Sequence, residues 1–141
     1  MSGDSGEITN PPRTRVFVYG TLRRGASNHF RMAGAKFVCA GSIVGKLYQI
    51  DWFPGLILDE TGGPIRGEVF EADRGLLEAL DKFEGVSADE SQSEYRRVTT
   101  TVFPENGGEP FTADVWEWLG EVDESKRMKG GDWLESFGNS P

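Results

Sequence analysis

The sequence has one cysteine, one histidine and no long apolar run, and its cations are outnumbered by its anions. A single thiol, Cys39, allows no intrachain disulfide and no metal cluster built on thiolates; that usage suits a reducing compartment such as the cytoplasm. No stretch reaches the ~18 consecutive apolar residues of a membrane-spanning helix, so no bilayer crossing is expected. Fifteen Lys and Arg stand against 23 Asp and Glu, a net charge of −8. Such a surface repels phosphate backbones and anionic lipid, which argues against nucleic-acid and membrane partners. The first residues, MSGDSGEITNPPRT, lack the apolar centre of a signal peptide and read as a mobile leader, 1–14.

Glycine, by contrast, is plentiful, with 19 in 141 residues, which favours a fold of many turns, bulges and strand corners. The apolar run RVFVYGTL reads as a buried strand closed by a turn, and ordered structure is expected from Arg15. KFVCAGSIVGKLYQI reads as one strand bent at glycines or two joined tightly. A short apolar piece follows between turns at Pro54-Gly55 and Gly62-Gly63, then the alternating IRGEVFEA. EYRRVTTTVF and PFTADVWEWLG flank PENGG as a hairpin. Asp73 is placed to cap one convincing helix, RGLLEALDKFEG, which Gly85 ends. About six strands and one clear helix predict an α+β domain over 15–120, a small curved sheet or barrel. The tail, 121–141, carries Trp133, Leu134 and Phe137, enough apolar surface to dock on the domain.

One carboxylate of that helix is out of pattern. At about 100° per residue from Leu76, Leu80 falls near 40°, Leu77 near 100° and Phe83 near 340°. Glu78, Asp81 and Lys82 fall on the solvent side, but Glu84 falls near 80°, inside the apolar arc. Desolvation and the negative end of the helix dipole would both raise its pKa, as general acid–base chemistry wants. The alternative is that this last residue before a capping glycine swings out to water. The Gly20-Thr21 turn after the first strand has a similar pair of readings. It either aims successive amides into an anion-binding concavity or is an ordinary strand-ending turn with Tyr19 in the core. It fits neither G-x-x-x-x-G-K-[ST] nor G-x-G-x-x-G.

The remaining reactive residues point to structure first. His29 sits in a polar, glycine-flanked stretch without an evident partner, which favours a structural or surface role. Arg96 and Arg97 face opposite sides of a strand and suit pairing with surface carboxylates. Cys39 reads as a small hydrophobe, Asp81 as a structural residue at the solvent edge, and Trp116 and Trp118 as one wall of core or pocket.

VFVYGTLRRGASNH, GAKFVCAGSIVGKLYQI, FPGLIL, IRGEVFEA, LLEALDKFEG and EYRRVTTTV, in this order over about residues 15 to 119, resemble the gamma-glutamylcyclotransferase-like family. The match is closest to its gamma-glutamylamine cyclotransferase-like branch. The resemblance implies a small mixed β-barrel with flanking helices. It also implies an enzyme that releases 5-oxoproline from a small γ-glutamyl amine or amino acid, the α-amine attacking its own γ-carbonyl. In that frame Glu84 is the general acid/base and Tyr19, Gly20, Thr21 and Leu22 form the loop that holds the γ-glutamyl group. Tyr95 matches a tyrosine common in the family and is either a pocket lining or a plain cross-strand aromatic, and no metal or organic cofactor is implied. A non-catalytic module on the same fold, binding a small ligand or a protein, is the competing reading. One departure stands out: the VSADESQSE segment after Gly85 is longer and more acidic than the family's compact connection, and is either part of the pocket rim, altering substrate choice, or an inert insertion.

Overall fold

The computed structural model describes residues 13–135; the rest of the expected leader and Phe137 lie outside the described residues. Six strands form one mixed sheet: β1 (Arg13–Val18), β2 (Lys36–Gln49), β3 (Pro54–Leu58), β4 (Gly63–Asp73), β5 (Tyr95–Pro104) and β6 (Phe111–Trp118). Among the described residues one α-helix, α1 (Arg74–Phe83), follows β4 directly. The strand order is β3-β2-β4-β1-β6-β5, and β2 also pairs with β5 through Gly41↔Pro104 and Ser42↔Phe103. That last pairing closes five strands into a barrel and leaves β3 as an appended edge on β2. β1 and β6 run parallel, and the other pairings are antiparallel.

The glycine-broken segment 36–49 is one long strand, with an irregular register between Phe37 and Cys39 that bends it. β1 begins at Arg13, which pairs with Asp73, and so takes in two residues expected in the leader. The continuous run Val16-Phe17-Val18 has no polar alternation because both faces of β1 are covered. Phe17 points into the barrel with Ile43, Leu47, Val69 and Val115, whereas Val16 and Val18 pack outside with Phe70, Trp116 and Leu80 of α1. Burying such side chains is worth about 1.5–3 kcal/mol each, and this holds the helix against the barrel wall. Trp133 is buried in the interior cluster, and the chain leading to it is tied by Met128 N–H to the Leu47 carbonyl (2.7 Å). The Gly131 carbonyl in turn accepts from Arg66 N–H (2.8 Å).

Both helix ends are capped. The Asp73 side chain accepts from Leu76 N–H (2.9 Å), and Gly85, at φ +73°, takes the left-handed position that ends the helix. Gly85 N–H donates to the Lys82 carbonyl (3.1 Å) and Val86 N–H to that of Asp81 (2.9 Å). This paired closure fixes the backbone on both sides of Glu84.

Candidate active site

Because β1 and β6 are parallel and β5 is antiparallel to β6, the ends of β1 and β6 meet the start of β5 at one rim of the barrel. The end of α1 and the β2–β3 turn reach the same rim and enclose a cavity of about 200 Å³. From β1 and the loop after it come Tyr19, Gly20, Thr21 and Leu22; α1 contributes Phe83 and Glu84; β5 contributes Tyr95 and the residue before it, Glu94. Trp52 and Phe53 line it from the β2–β3 turn, Pro54, expected in a turn with Gly55, from the first position of β3, and Trp116 from β6. All six residues singled out from the sequence as site candidates therefore line one cavity, although Glu84 follows Gly20 by some sixty positions.

The cavity walls are held by hydrogen bonds that span the rim. Tyr19 OH donates to the Trp116 carbonyl (2.7 Å) and accepts from Leu56 N–H (3.3 Å), and Tyr95 OH donates to the Pro54 carbonyl (2.7 Å). Burial pushes both phenols above their usual range, and the Glu84 carboxylate adds to this, so both stay neutral. Gly20 lies so close to Pro54 that a β-carbon there would stand 2.6 Å from Cγ and 2.9 Å from Cδ of the proline ring. The loop then turns back on itself: Arg23 N–H donates to the Gly20 carbonyl (3.1 Å) and Asn28 N–H to that of Thr21 (2.8 Å). The Leu22 carbonyl accepts from His29 Nδ1–H (2.8 Å), which gives the single histidine a structural task. The carbonyls of residues 20–22 are thus occupied, while among the described residues their amides have no protein acceptor. Amides left in this state at a concave rim suit an anionic group.

The basic pair in YGTLRRG anchors the loop from below. Arg23 donates to Asp132 (2.8 Å) and sits 3.6 Å from Glu68, a buried carboxylate that also accepts from Arg24 N–H (2.9 Å). The ion pairs tie the loop to β4 and to the chain segment carrying Trp133. Arg96 and Arg97 are likewise committed to carboxylates, Arg96 to Glu117 (3.0 Å) and Arg97 to Asp81 and Asp114. Asp81 is not at the solvent edge where its angle on the helix put it. It accepts from Arg97 Nε (2.9 Å) and from Trp116 Nε1 (2.9 Å), and so pins α1 to the β5–β6 hairpin. Cys39 is half-buried, and burial pushes its thiol up.

Glu84 is the chemically distinctive group. Its carboxyl is pushed up from an ordinary 4.5 to about 8, chiefly by burial and further by the Glu94 and Asp81 carboxylates. Near neutrality it therefore exists in both protonation states, the condition for taking a proton and returning it. Glu94 itself was not singled out, since it sits in a loop without periodicity, although its segment was one candidate for the pocket rim. The turn residues Trp52 and Phe53 and the first β3 residue, Pro54, were equally unmarked as lining.

The comparisons with known proteins agree with this architecture. The family profile "Gamma-glutamyl cyclotransferase, AIG2-like" matches residues 16–135. The Pyrococcus horikoshii protein PH0828 is 34% identical over 122 residues, covering 86% of this chain and 91% of its own. Its crystal structure superposes with a TM-score of 0.65 at 31% identity, over 87% of this chain and 92% of that one. A Mus musculus gamma-glutamylaminecyclotransferase is 30% identical over 120 residues, covering 77% of this chain and 68% of its own. A cavity at the barrel rim, the loop and helix that build it and the profile match over nearly the whole described chain lead to one assignment: this chain belongs to the AIG2-like gamma-glutamyl cyclotransferase family.

Proposed function

We propose that the protein is a cyclotransferase releasing 5-oxoproline from a small γ-glutamyl amine or amino acid, with Glu84 as general acid/base. The observation that carries this reading is a carboxyl tuned to about 8 in the same cavity as a loop with unoccupied amides. In the proposed reaction the α-ammonium of the γ-glutamyl group gives a proton to the Glu84 carboxylate. The freed amine attacks the γ-carbonyl carbon, the new C–N bond closes a five-membered lactam, and the bond to the departing nitrogen breaks. The two protons that the attacking nitrogen sheds in becoming a lactam N–H equal the two that the leaving nitrogen gains in becoming an ammonium. Glu84 relays them, and no water or cofactor enters the balance.

The amides of Gly20, Thr21 and Leu22 then serve negative charge, on the substrate's α-carboxylate or on the tetrahedral oxyanion. Nucleophile and electrophile belong to one molecule, so the cavity need only hold the folded conformer. About 200 Å³ suits a γ-glutamyl group, and the exposed Trp52 in the lining marks the side where a leaving amine could extend to solvent. The test is incubation with a panel of γ-glutamyl compounds, following 5-oxoproline by mass. Release from at least one is expected. Silence across a broad panel, with saturable binding of γ-glutamyl compounds retained, would favour the binding-module reading.

A further inference from the structure

The acidic segment between Gly85 and β5 delivers a second carboxylate to the cavity. The segment is cross-tied: Ser87 N–H donates to Ser93 Oγ (2.7 Å), Ser93 Oγ donates to the Ser87 carbonyl (3.2 Å), and Asp89 accepts from Ser91 N–H (3.0 Å). Its last residue, Glu94, is held on both sides. Glu94 N–H donates to the Gly85 carbonyl (3.0 Å), and the Glu94 carbonyl accepts from Leu119 N–H (2.9 Å). The Glu94 side chain lies over Gly85, where an added β-carbon would stand 2.6 Å from its Oε1. Glu94 is therefore fixed next to the residue that follows Glu84, and it lines the same cavity.

The charges around Glu84 are unevenly balanced. On its own helix Asp81 is matched by Arg97 and Trp116 Nε1, and Lys82 is exposed. From β1 and β5 come the neutral phenols Tyr19 and Tyr95. On β6, Glu117 is engaged by Arg96 and by Leu58 N–H (2.9 Å). Among the described residues no Lys or Arg stands within ion-pair distance of Glu94, since the nearby Arg96 is turned to Glu117 and Glu90. Among the described residues lining the cavity, Glu94 is thus the carboxylate beside Glu84 that forms no ion pair.

We propose that Glu94 is a positioning residue that acts through Glu84: its carboxylate, fixed over Gly85 in the same cavity and without an ion-pair partner among the described residues, shifts the pH window of the reaction. The catalytic part rests on the cyclotransferase reading of Glu84; the electrostatic part does not. Glu94→Gln keeps shape and hydrogen-bonding capacity but removes the charge.

The experiment is a carboxyl ¹³C NMR titration of Glu84 in the wild type, Glu94→Gln and Glu94→Asp, at about 20 mM and about 0.5 M salt, paired with the pH profile of kcat/KM. The Glu84 midpoint is expected to fall by about half a unit or more in Glu94→Gln, with the acid limb of the profile moving the same way, and to be largely restored in Glu94→Asp. Salt should lower the wild-type midpoint only modestly and leave that of Glu94→Gln nearly still, because a partly buried like-charge pair is screened less than an exposed one. An unmoved midpoint in folded Glu94→Gln overturns the proposal. Failure of every γ-glutamyl substrate would instead sink the catalytic reading and leave the titration to decide the electrostatic one.

Discussion

Glu84→Gln is expected to stabilise the protein in alkali. The folded chain holds the Glu84 proton with a pKa of about 8, against an ordinary 4.5. Between those two values folding takes up a proton, so stability falls as pH rises through the window and levels off above it. At about 1.4 kcal/mol per tenfold change in proton affinity, the full difference corresponds to a ceiling of about 5 kcal/mol at pH 9. Glu84 is partly open to the cavity mouth, and solvent screens some of this, so on the order of 2 kcal/mol should be recovered by the neutral isostere. For a chain of this size each kcal/mol moves Tm by about 2–4 °C. Thermal unfolding of both proteins across pH 5 to 9 should show the variant's Tm gaining on the wild type as pH rises, by several degrees in all. A Tm difference independent of pH would refute the burial of an ionisable Glu84.

Three further substitutions probe the supports of the site. Gly20→Ala drives a β-carbon into the Pro54 ring and should cost about 1–3 kcal/mol in chemical denaturation, with a larger relative loss of kcat/KM than of stability. Arg23→Met leaves the buried Glu68 carboxylate to Arg24 alone and frees the loop from Asp132; a loss of about 2 kcal/mol and a raised KM are expected, and an unchanged KM would separate the anchor from the loop's binding role. Trp133→Ala empties part of the barrel interior and should cost about 3–5 kcal/mol, read by urea unfolding.

The sequence made some of these features legible and hid others for physical reasons. The angle of Glu84 on its helix was readable because helical period and a capping glycine are local properties, and Gly85 does take the expected left-handed position. The same wheel misplaced Asp81, because a helix edge becomes an interior edge once Arg97 and Trp116 of a distant hairpin reach over it. Barrel closure rests on two residue pairs between β2 and β5, more than fifty positions apart, which no period records. Burial of both faces of β1 explains why VFV lacks alternation, yet the run alone cannot say what covers each face. The cavity's loop side was visible as YGTL; its lining by Phe53 and Pro54 and its second carboxylate at Glu94 come from a turn, a strand start and a loop end, which are brought to the rim only by the fold.

The most direct measurement is the rate of 5-oxoproline release by Glu84→Gln against the wild type, on whichever γ-glutamyl compound the wild type turns over. A correctly folded variant should lose at least about a hundredfold in kcat with substrate binding largely kept, since the isostere retains shape but cannot relay a proton. Undiminished turnover by Glu84→Gln would contradict the account.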